Sequence, residues 1–557
     1  MVTLRYFLTF LVVQLSVCSA FSQGSHIPYN SEYFHRIDRL ELKNARLSTH
    51  FHGVLKPYDR KDLAEFLGQL NTDSLSERDS SDLAYLKNEV WEWDSTRSEG
   101  KGFLKHFFKQ PADFYSVKTN DFDIHVSPIF HFRTGSENYD GEKRRQFVNT
   151  RGVFLRGTLN KKLGFYSYFT ENQTSSPFYV KQYSLQQGHF PYTGYTRIIK
   201  NDTTRFDLDY MQAFGEINFR PNNLISLKLG HNKNFVGSGV RSLILSDYSA
   251  PYFNFKANVK LGRLEYMNML AKLADQQSDT IGYDLEVIPP KFMVFHHLNI
   301  NVTKNLNIGL FETVLFGDRK FDMNYLNPVI FYRFVEGLLG SSDNAIVGAD
   351  FRWLPGRGAM FYGQFVLDEF NTVDNKKGGS FNDKKAWQLG FKMVDFLDVE
   401  QLDIQVEFNS VRPYTFSHFK TFTNASNYNI PLGHPLGANF NEFIGILRWQ
   451  PITKLFVKGT YLNYAKGFDT PNVNWGGDVL KNYRVGRPYD NGNFIAQGDK
   501  RKVHLFRADV SYMLYHNVFL DLNVQSRNIA LENAVNKPSR VFNIGIRWNF
   551  MNDEYLF

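Results

Sequence analysis

The residues with the clearest binding chemistry lie between positions 467 and 501. This stretch combines flat aromatic rings with charged and amide groups: Trp475, Tyr483, Arg484, Arg487, Tyr489, Asp490 and Asn493. Rings offer apolar faces, and guanidinium groups form paired hydrogen bonds with carboxylates, so the mixture suits acidic sugars. Tyr192 and Tyr195, in the stretch 174–204, share this interpretation. The alternative is a membrane-interface belt beside ordinary loop charge, and Arg144 and Arg145 are expected to be solvated charges only.

The histidines do not predict an active site. His296 and His297 are adjacent, so on a strand their side chains point to opposite faces. His418 and His434 have serines nearby, but no spacing selects a nucleophile among them. The Asp and Asn residues lack the regular spacing of a calcium loop. We therefore predict a chain without enzymatic activity, metal site or cofactor.

The composition of the chain restricts the class of protein that can position these residues. Of the 557 residues, 43% are hydrophobic, 22% charged and 16% aromatic, which excludes global disorder. After the first 25 residues no run approaches 18 consecutive apolar residues, so a helical membrane protein is excluded. The formal net charge of +8 indicates either a solvated basic surface or a preference for anionic partners. The excess of aromatic residues needs a further explanation.

The first 22 residues predict an exported protein. Arg5 precedes an apolar stretch, and small residues follow at Ser19, Ala20 and Ser22, which is typical of a secretory signal peptide cleaved before Gln23. The alternative is a lipoprotein signal ending at Cys18. Because Cys18 is the only cysteine, the mature chain is expected to have no disulfide and no thiolate metal site.

Residues 23–100 are predicted to form a small helical unit in the periplasm. Leu63, Phe66, Leu67 and Leu70 have the spacing of one helix face. Ser76 and Asp79 resemble a capping box that begins a second helix. Tyr33, Ile37 and Leu40 suggest an earlier third helix. This unit is too thin for a stable core of its own, so we expect it to pack on something larger.

Residues 101–557 are predicted to form the barrel, and from about Asp121 the sequence has the period of β-strands. Apolar and polar residues alternate, as in Leu402, Ile404, Val406 and Phe408 against Asp403, Gln405, Glu407 and Asn409. Segments of about ten residues match tilted strands with lipid on one face and a polar lumen on the other. Eighteen candidate strands lie near 121–133, 147–159, 163–173, 205–219, 223–231, 252–260, 263–274, 291–302, 306–318, 343–354, 359–368, 385–396, 402–412, 440–450, 454–466, 502–515, 518–528 and 539–550.

The links between these strands alternate strictly between short and long. Short links include 160–162 and 516–517, and long ones include 174–204, 413–439 and 467–501. Tight turns on one side, long loops on the other and an even strand number are typical of an outer-membrane β-barrel. We therefore predict an all-β transmembrane barrel of about 18 antiparallel strands, with both termini in the periplasm. Aromatic residues at the two membrane interfaces would explain the composition.

Two of the long links are unusually apolar. They are 232–251, which contains Phe235 to Leu245, and 319–342, which contains most of Tyr325 to Asn344. Such segments would be costly as solvated loops, so both are expected to fold inward and close the lumen. The alternative is an open diffusion porin, because eighteen strands enclose enough width for a channel.

Three segments resemble a known family. They are GHNKNFVGSGVRSLILSDYSAPYF from Gly230, YLNPVIFYRFVEGLLGSSDN from Tyr325 and PLGHPLGANFNEF from Pro431. Their pattern resembles the Wzi capsule-assembly family and, within it, the RemB gliding-motility branch. The final strand, Asn543 to Phe550, also resembles the C-terminal insertion signal of outer-membrane barrels. The family resemblance implies a lectin that holds surface polysaccharide, or a part of surface motility. The implied partners are outer-membrane lipid, surface polysaccharide and motility or export proteins, without nucleic acid.

Overall fold

The computed structural model describes residues 25–27, 31–73, 75–94, 106–160, 162–202, 205–275, 288–340, 343–369, 378–531, 538–550 and 554–557. The predicted signal peptide, 1–22, with its lipoprotein alternative at Cys18, lies outside the described residues.

The main element is a closed antiparallel barrel of eighteen strands, as the sequence predicts. Each strand pairs with its neighbours in the chain, and the last strand pairs with the first to close the sheet. The strands are β1 Phe122–Tyr139, β2 Glu142–Leu159, β3 Leu163–Ser175, β4 Phe206–Phe219, β5 Ile225–Asn232, β6 Tyr252–Leu261, β7 Leu264–Ala274, β8 Pro290–Asn301, β9 Leu306–Gly317, β10 Asn344–Gly356, β11 Ala359–Glu369, β12 Lys384–Met393, β13 Leu402–Val411, β14 Phe440–Ile452, β15 Leu455–Phe468, β16 Asp499–Tyr515, β17 Val518–Leu531 and β18 Ser539–Trp548. Short accessory strands at Tyr115–Lys118 and Arg197–Asn201 pair with β1 and β4.

The barrel is polar inside and apolar outside. On β17, Leu520 and Val524 are each 45% exposed on the outer face, while Asn523 and Gln525 are buried in the lumen. A closed barrel leaves no unpaired backbone edge, which a sheet in hydrocarbon requires. An exposed apolar exterior of this kind is a lipid-facing surface. No helix among the described residues is both long enough and apolar enough to cross a membrane.

Short links such as 453–454 and 516–517 lie at one end of the barrel, and long links such as 176–205 and 469–498 lie at the other. The first hairpin departs from the predicted alternation. The expected long link between residues 133 and 147 is instead strand, and a two-residue turn at Asp140 and Gly141 joins β1 to β2. Both turn residues have positive φ, of 55° and 84°, as a tight hairpin with glycine at its second position allows. Charged residues there concealed a strand that projects past the barrel wall.

Three helices form a unit at the short-turn end: α1 Ser31–Lys43, α2 Arg60–Gln69 and α3 Glu77–Glu89. They share a hydrophobic core that includes Phe34, Leu63 and Leu86. The side chain of Ser76 accepts a hydrogen bond from the backbone N–H of Asp79, and the Asp79 carboxylate accepts one from the backbone N–H of Ser76, so α3 begins with a capping box.

Polar contacts attach this helical unit to the short turns of the barrel. Arg39 of α1 forms ion pairs with Asp79 in α3 and with Asp395 and Asp403 of the barrel, the last two at 2.6 and 2.5 Å. The carboxylate of Glu89 accepts a hydrogen bond from Asn517, whose side-chain oxygen accepts one from Tyr33 at 2.9 Å. The unit therefore covers the short-turn end of the lumen.

The long link 233–251 fills the lumen, which confirms the prediction that it folds inward. Phe235, Val236, Leu243 and Leu245 are at most 2% exposed. Phe235 and Val236 pair as a short antiparallel ladder with Leu55 and Lys56 of the helical unit. The C-terminal residues 554–557 also lie in the lumen, where Tyr179 donates a hydrogen bond to the Tyr555 carbonyl and Arg527 donates one to the Phe557 carbonyl.

The prediction for 319–342 is wrong, because the described part of this link, residues 319–340, folds outward. It contains a short helix, α5 Tyr332–Leu338, and packs on residues of β8 and β9 that point away from the lumen, including Val294, Val314 and Phe316. Hydropathy alone does not distinguish a segment buried in the lumen from one lying against the outer wall, because both are apolar. The link 233–251 goes inward because lumen side chains such as Glu407 and Gln364 bind its backbone.

Candidate functional site

An open cleft of about 1370 Å³ lies at the long-loop end of the barrel. Its walls come from the β1–β2 hairpin, a helix in the link 176–205, the link 469–498 and the nearby ends of β16 and β17. This helix is α4, Phe178–Gln187. We call this cavity the mouth cleft and define it by Tyr139, Asp140, Glu142, Arg144, Phe178, Lys181, Gln182, Asn201, Asp202, Thr470, Trp475, Tyr489, Phe494, Gly498, Asp499, Lys500, Arg501, Ile529 and Leu531.

Two pairs of aromatic rings line the mouth cleft. Trp475 and Tyr489 meet edge to face, with ring centroids 6.0 Å apart and planes at 71°. Tyr139 and Phe178 lie on the hairpin side, with centroids 4.4 Å apart. Tyr489 is 37% exposed and Phe494 is 60% exposed, so ring surface faces solvent. Exposed rings held in fixed positions are suited to stacking on the apolar faces of sugars.

Charged groups of both signs also line the mouth cleft. The cations are Arg144, Lys181, Lys500 and Arg501, and the anions are Asp140, Glu142, Asp202 and Asp499. Partial burial lowers the pKa of Lys181, and the nearby charge of Arg144 lowers it further. The balance of signs gives the cleft hydrogen-bonding capacity without a strongly basic surface.

Arg144 is not the solvated charge that the sequence predicts. Its guanidinium lies 4.2 Å from the ring centroid of Phe178 and donates a hydrogen bond of 3.0 Å to Glu142. The residue is only 8% exposed. Its position depends on the extension of β1 and β2 past the barrel wall, which the sequence pattern concealed. Phe178, Lys181 and Phe494 were also missed, because no spacing in the sequence connects them to residues 467–501.

A network of side-chain to backbone hydrogen bonds fixes the link 469–498. Asp469 accepts hydrogen bonds from the backbone N–H groups of Trp475 and Gly477, at 2.7 and 3.2 Å. Asn439 binds the backbone of Ala496 and Gln497 at 2.8 and 2.9 Å. The rings of the mouth cleft are therefore mounted on an ordered loop, which reduces the entropy lost on binding.

Glycine is required where this loop returns to the barrel. Gly498 has a φ of 90°, and a Cβ atom there would lie 2.5 Å from Cγ of Trp475. The missing side chain lets the indole pack directly over the backbone.

The structure brings only some of the predicted site residues together. Trp475 and Tyr489 line the mouth cleft. Tyr483 is 3% exposed, with Lys384 Nζ 3.6 Å from its ring centroid, so it offers no free stacking face. Arg487 lies 3.5 Å from the ring centroid of Phe381 and donates hydrogen bonds to Asp490 and to the Tyr483 carbonyl.

The remaining predicted residues are dispersed. Arg484 is exposed and its guanidinium lies 4.1 Å from the ring centroid of Phe419. Tyr192 is buried in the lumen, where its hydroxyl donates a hydrogen bond to the Glu554 carbonyl. Tyr195 is 61% exposed but is not part of the cleft wall.

The histidines that could have served a catalytic site have structural partners. His296 and His297 do point to opposite faces: Nε2 of His296 lies 3.0 Å from the carboxylate of Glu312, and Nε2 of His297 lies 2.6 Å from the carboxylate of Asp350. His434 is bound to Glu442 at 2.6 Å, and burial lowers the pKa of His418 to about 4. Within the described ranges, no group of three or more His, Cys, Asp or Glu side chains is arranged to hold a metal ion.

No family model matches the chain, and no curated protein matches it. Among solved structures it is similar to Wzi of Escherichia coli, described as an outer-membrane protein involved in group 1 capsule assembly and a carbohydrate-binding β-barrel. The TM-score is 0.54 at 12% identity, covering 96% of this chain and 100% of that one. It is also similar to OccK7 of Pseudomonas aeruginosa and OccAB2 of Acinetobacter baumannii, at TM-scores of 0.41 and 0.42, identities of 8% and 10%, and coverage of 76% of this chain and 98% of theirs.

At these identities the likeness to Wzi shows the fold alone. The fold is that of an outer-membrane barrel, and the apolar exterior of the closed sheet supplies the lipid-facing surface that such a barrel needs. The chain is therefore an outer-membrane protein.

Proposed function

We propose that this barrel binds surface polysaccharide in the mouth cleft and holds it at the cell surface, as in the assembly or attachment of a capsule. The observation that carries the proposal is the cleft itself, where Trp475, Tyr489 and Phe494 present ring surface beside paired charges on an ordered loop. The carbohydrate binding stated for Wzi supports it. In this assignment the long links face the outside of the cell and the helical unit lies in the periplasm.

The chemistry of the cleft suits a polymer of sugars better than a small solute. Sugar rings have one apolar face and a rim of hydroxyl groups, so they need aromatic surface and dispersed hydrogen-bonding groups together. Arg144 and Arg501 can bind the carboxylates of acidic sugars. Each guanidinium now pairs with a protein carboxylate, Glu142 or Asp499, and a sugar carboxylate can take the place of that partner. An open cleft of this kind accepts a chain that extends past both ends. No catalytic step is part of the proposal.

The test replaces the three rings. We expect a Trp475→Ala, Tyr489→Ala, Phe494→Ala variant to bind labelled polysaccharide at least about tenfold more weakly, because each lost stacking contact is worth about 0.5–1.5 kcal/mol. Binding is measured on intact cells that display the protein. Heat-modifiable migration on a gel checks that the barrel has assembled.

Tyr195→Ala is the matched control, because Tyr195 is an exposed ring outside the cleft wall. It should bind polysaccharide like the unmodified protein. Full binding by an assembled triple variant would show that the mouth cleft is not the site.

A role in surface motility, which the resemblance to the RemB branch implies, stays a prediction, as do motility or export partners. A deletion strain scored for both capsule retention and surface spreading would separate the two roles.

A further inference from the structure

The outer wall of the barrel carries a polar patch where lipid-facing residues are expected. Tyr266, Asn268, His296 and Glu312 lie at alternate positions of β7, β8 and β9 that point away from the lumen. On the same outward row of β9, Ile308 and Leu310 are 39% and 55% exposed. Polar side chains facing hydrocarbon without partners are expensive, so this patch needs a cover.

Residues 321–340, which we call the wall segment, supply that cover. The carboxylate of Glu312 accepts hydrogen bonds from the backbone N–H groups of Tyr332 and Arg333, at 2.8 and 2.6 Å. Asn268 donates a hydrogen bond of 2.6 Å to the Tyr332 hydroxyl, and Tyr266 donates one to the Pro328 carbonyl. The ring of Tyr332 stacks on His296 with centroids 4.5 Å apart. Every member of the patch thus has a partner in the wall segment.

The opposite face of the wall segment is apolar and uncovered. Val329, Phe331, Phe334 and Leu338 are 87%, 65%, 68% and 85% exposed. Arg333, the exposed cation of α5, forms an ion pair of 2.6 Å with Glu336. Side chains as apolar as these would be costly in water.

The strand register places this face within the lipid-facing band. Tyr266 is opposite Leu298, and Leu298 is opposite Leu310, so the contact between Tyr266 and Pro328 lies at the level of the exposed Leu310 side chain. The charged residues Asp318, Arg319 and Lys320 lie where the segment leaves the long-loop end of β9. The apolar face therefore continues the apolar surface of the barrel.

We propose that the wall segment is embedded in the bilayer and that Phe331, Phe334 and Leu338 contact lipid acyl chains. The segment replaces lipid over the polar patch and presents a new apolar surface in its place. Lipid is favoured as the occupant because the face continues the lipid-facing surface of β9 and lies at the same depth.

The test measures which small collision reagents reach the segment. A Cys18→Ser background has no cysteine, so a nitroxide can be attached at Phe334→Cys or Leu338→Cys without competition. The labelled full chain is reconstituted in phosphatidylcholine vesicles. Leu520→Cys on the outer face of β17 is the lipid-facing control, and Val485→Cys, which is 66% exposed in the link 469–498, is the aqueous control.

We expect labels at positions 334 and 338 to collide with dissolved oxygen in preference to a water-soluble nickel complex, as the label at 520 does. A preference for nickel, as at 485, would overturn the proposal by placing the segment in water. Protection from both reagents would also overturn it, in favour of a second copy of the chain covering this face. Heat-modifiable migration confirms that each variant is assembled.

Discussion

His35 illustrates how one buried side chain links the helical unit to the barrel. Its Nε2 atom lies 2.9 Å from a carboxylate oxygen of Asp403 on β13. Burial lowers the pKa of His35 to about 4, and the charge of Arg448 acts in the same direction, against the carboxylate of Asp403. The imidazole is therefore neutral in the docked unit at pH 7, and its Nε2–H group donates a hydrogen bond to the carboxylate.

This pKa gives the docking of the helical unit a pH dependence. Because the pKa of His35 is lower in the docked unit than the unfolded value of about 6.5, the unfolded state binds a proton more readily between pH 6.5 and pH 4. The free energy of unfolding is therefore highest above pH 6.5 and decreases as the pH falls toward 4. The loss attributable to His35 approaches about 3 kcal/mol at the lower end. We expect the detergent-solubilised protein to become protease-sensitive in residues 31–94 over this range.

The matched variant is His35→Gln, whose amide can still donate a hydrogen bond to Asp403 but does not titrate. It should show a smaller change in protease sensitivity between pH 6.5 and pH 4. An unchanged pH profile in the variant would show that His35 does not control docking.

At the scale of elements, the alternation of polar and apolar residues was enough to predict the strands, because lumen and lipid impose opposite polarity on the two faces. The alternation was not enough to predict the paths of the links between the strands. The outer part of the β1–β2 hairpin was not predicted, because Glu142, Arg144 and Arg145 lie where the strands leave the lipid. Lipid does not require apolar residues at alternate positions there. The two apolar links had similar composition but went to opposite sides of the wall. Most of the cleft was missed for related reasons: Arg144 lies on the part of β2 that leaves the lipid, and Phe178 lies in a link whose path depends on tertiary contacts.

The inserted link 233–251 leads to a prediction about conductance. Glu407 accepts hydrogen bonds from the backbone of Val240 and Arg241, and Gln364 binds the backbone of Val236 and Leu243. The unmodified protein should show no large steady open state in planar bilayers. A Glu407→Ala, Gln364→Ala variant should show frequent openings, because the link loses these anchors.

Gln405→Ala is the control for this measurement, since Gln405 also points into the lumen but binds Tyr362 and Arg448 instead of the link. It should remain closed. A large steady conductance in the unmodified protein would favour the porin alternative over a closed barrel.

At the scale of the whole molecule, the two ends of the barrel are chemically accessible from different compartments. Lys200 and Lys481 are exposed in long links, and Lys304 and Lys454 are exposed at short turns. Of these four lysines, a membrane-impermeant amine reagent should label only Lys200 and Lys481 on intact cells, as read by peptide mass spectrometry. In disrupted envelopes Lys304 and Lys454 should react as well. Labelling of Lys454 and not Lys481 on intact cells would invert the orientation.

The pairing of Phe235 and Val236 with Leu55 and Lys56 also affects how the molecule would transmit force. A backbone hydrogen bond of 2.8 Å from Gly237 to Val54 extends this ladder, so a link that starts at the outer rim is fastened to the unit at the inner rim. A polysaccharide held in the mouth cleft, as proposed above, would be pulled by flow and by cell growth. Part of that force can pass down the link to the helices, and the barrel would resist it along its axis as well as around its wall.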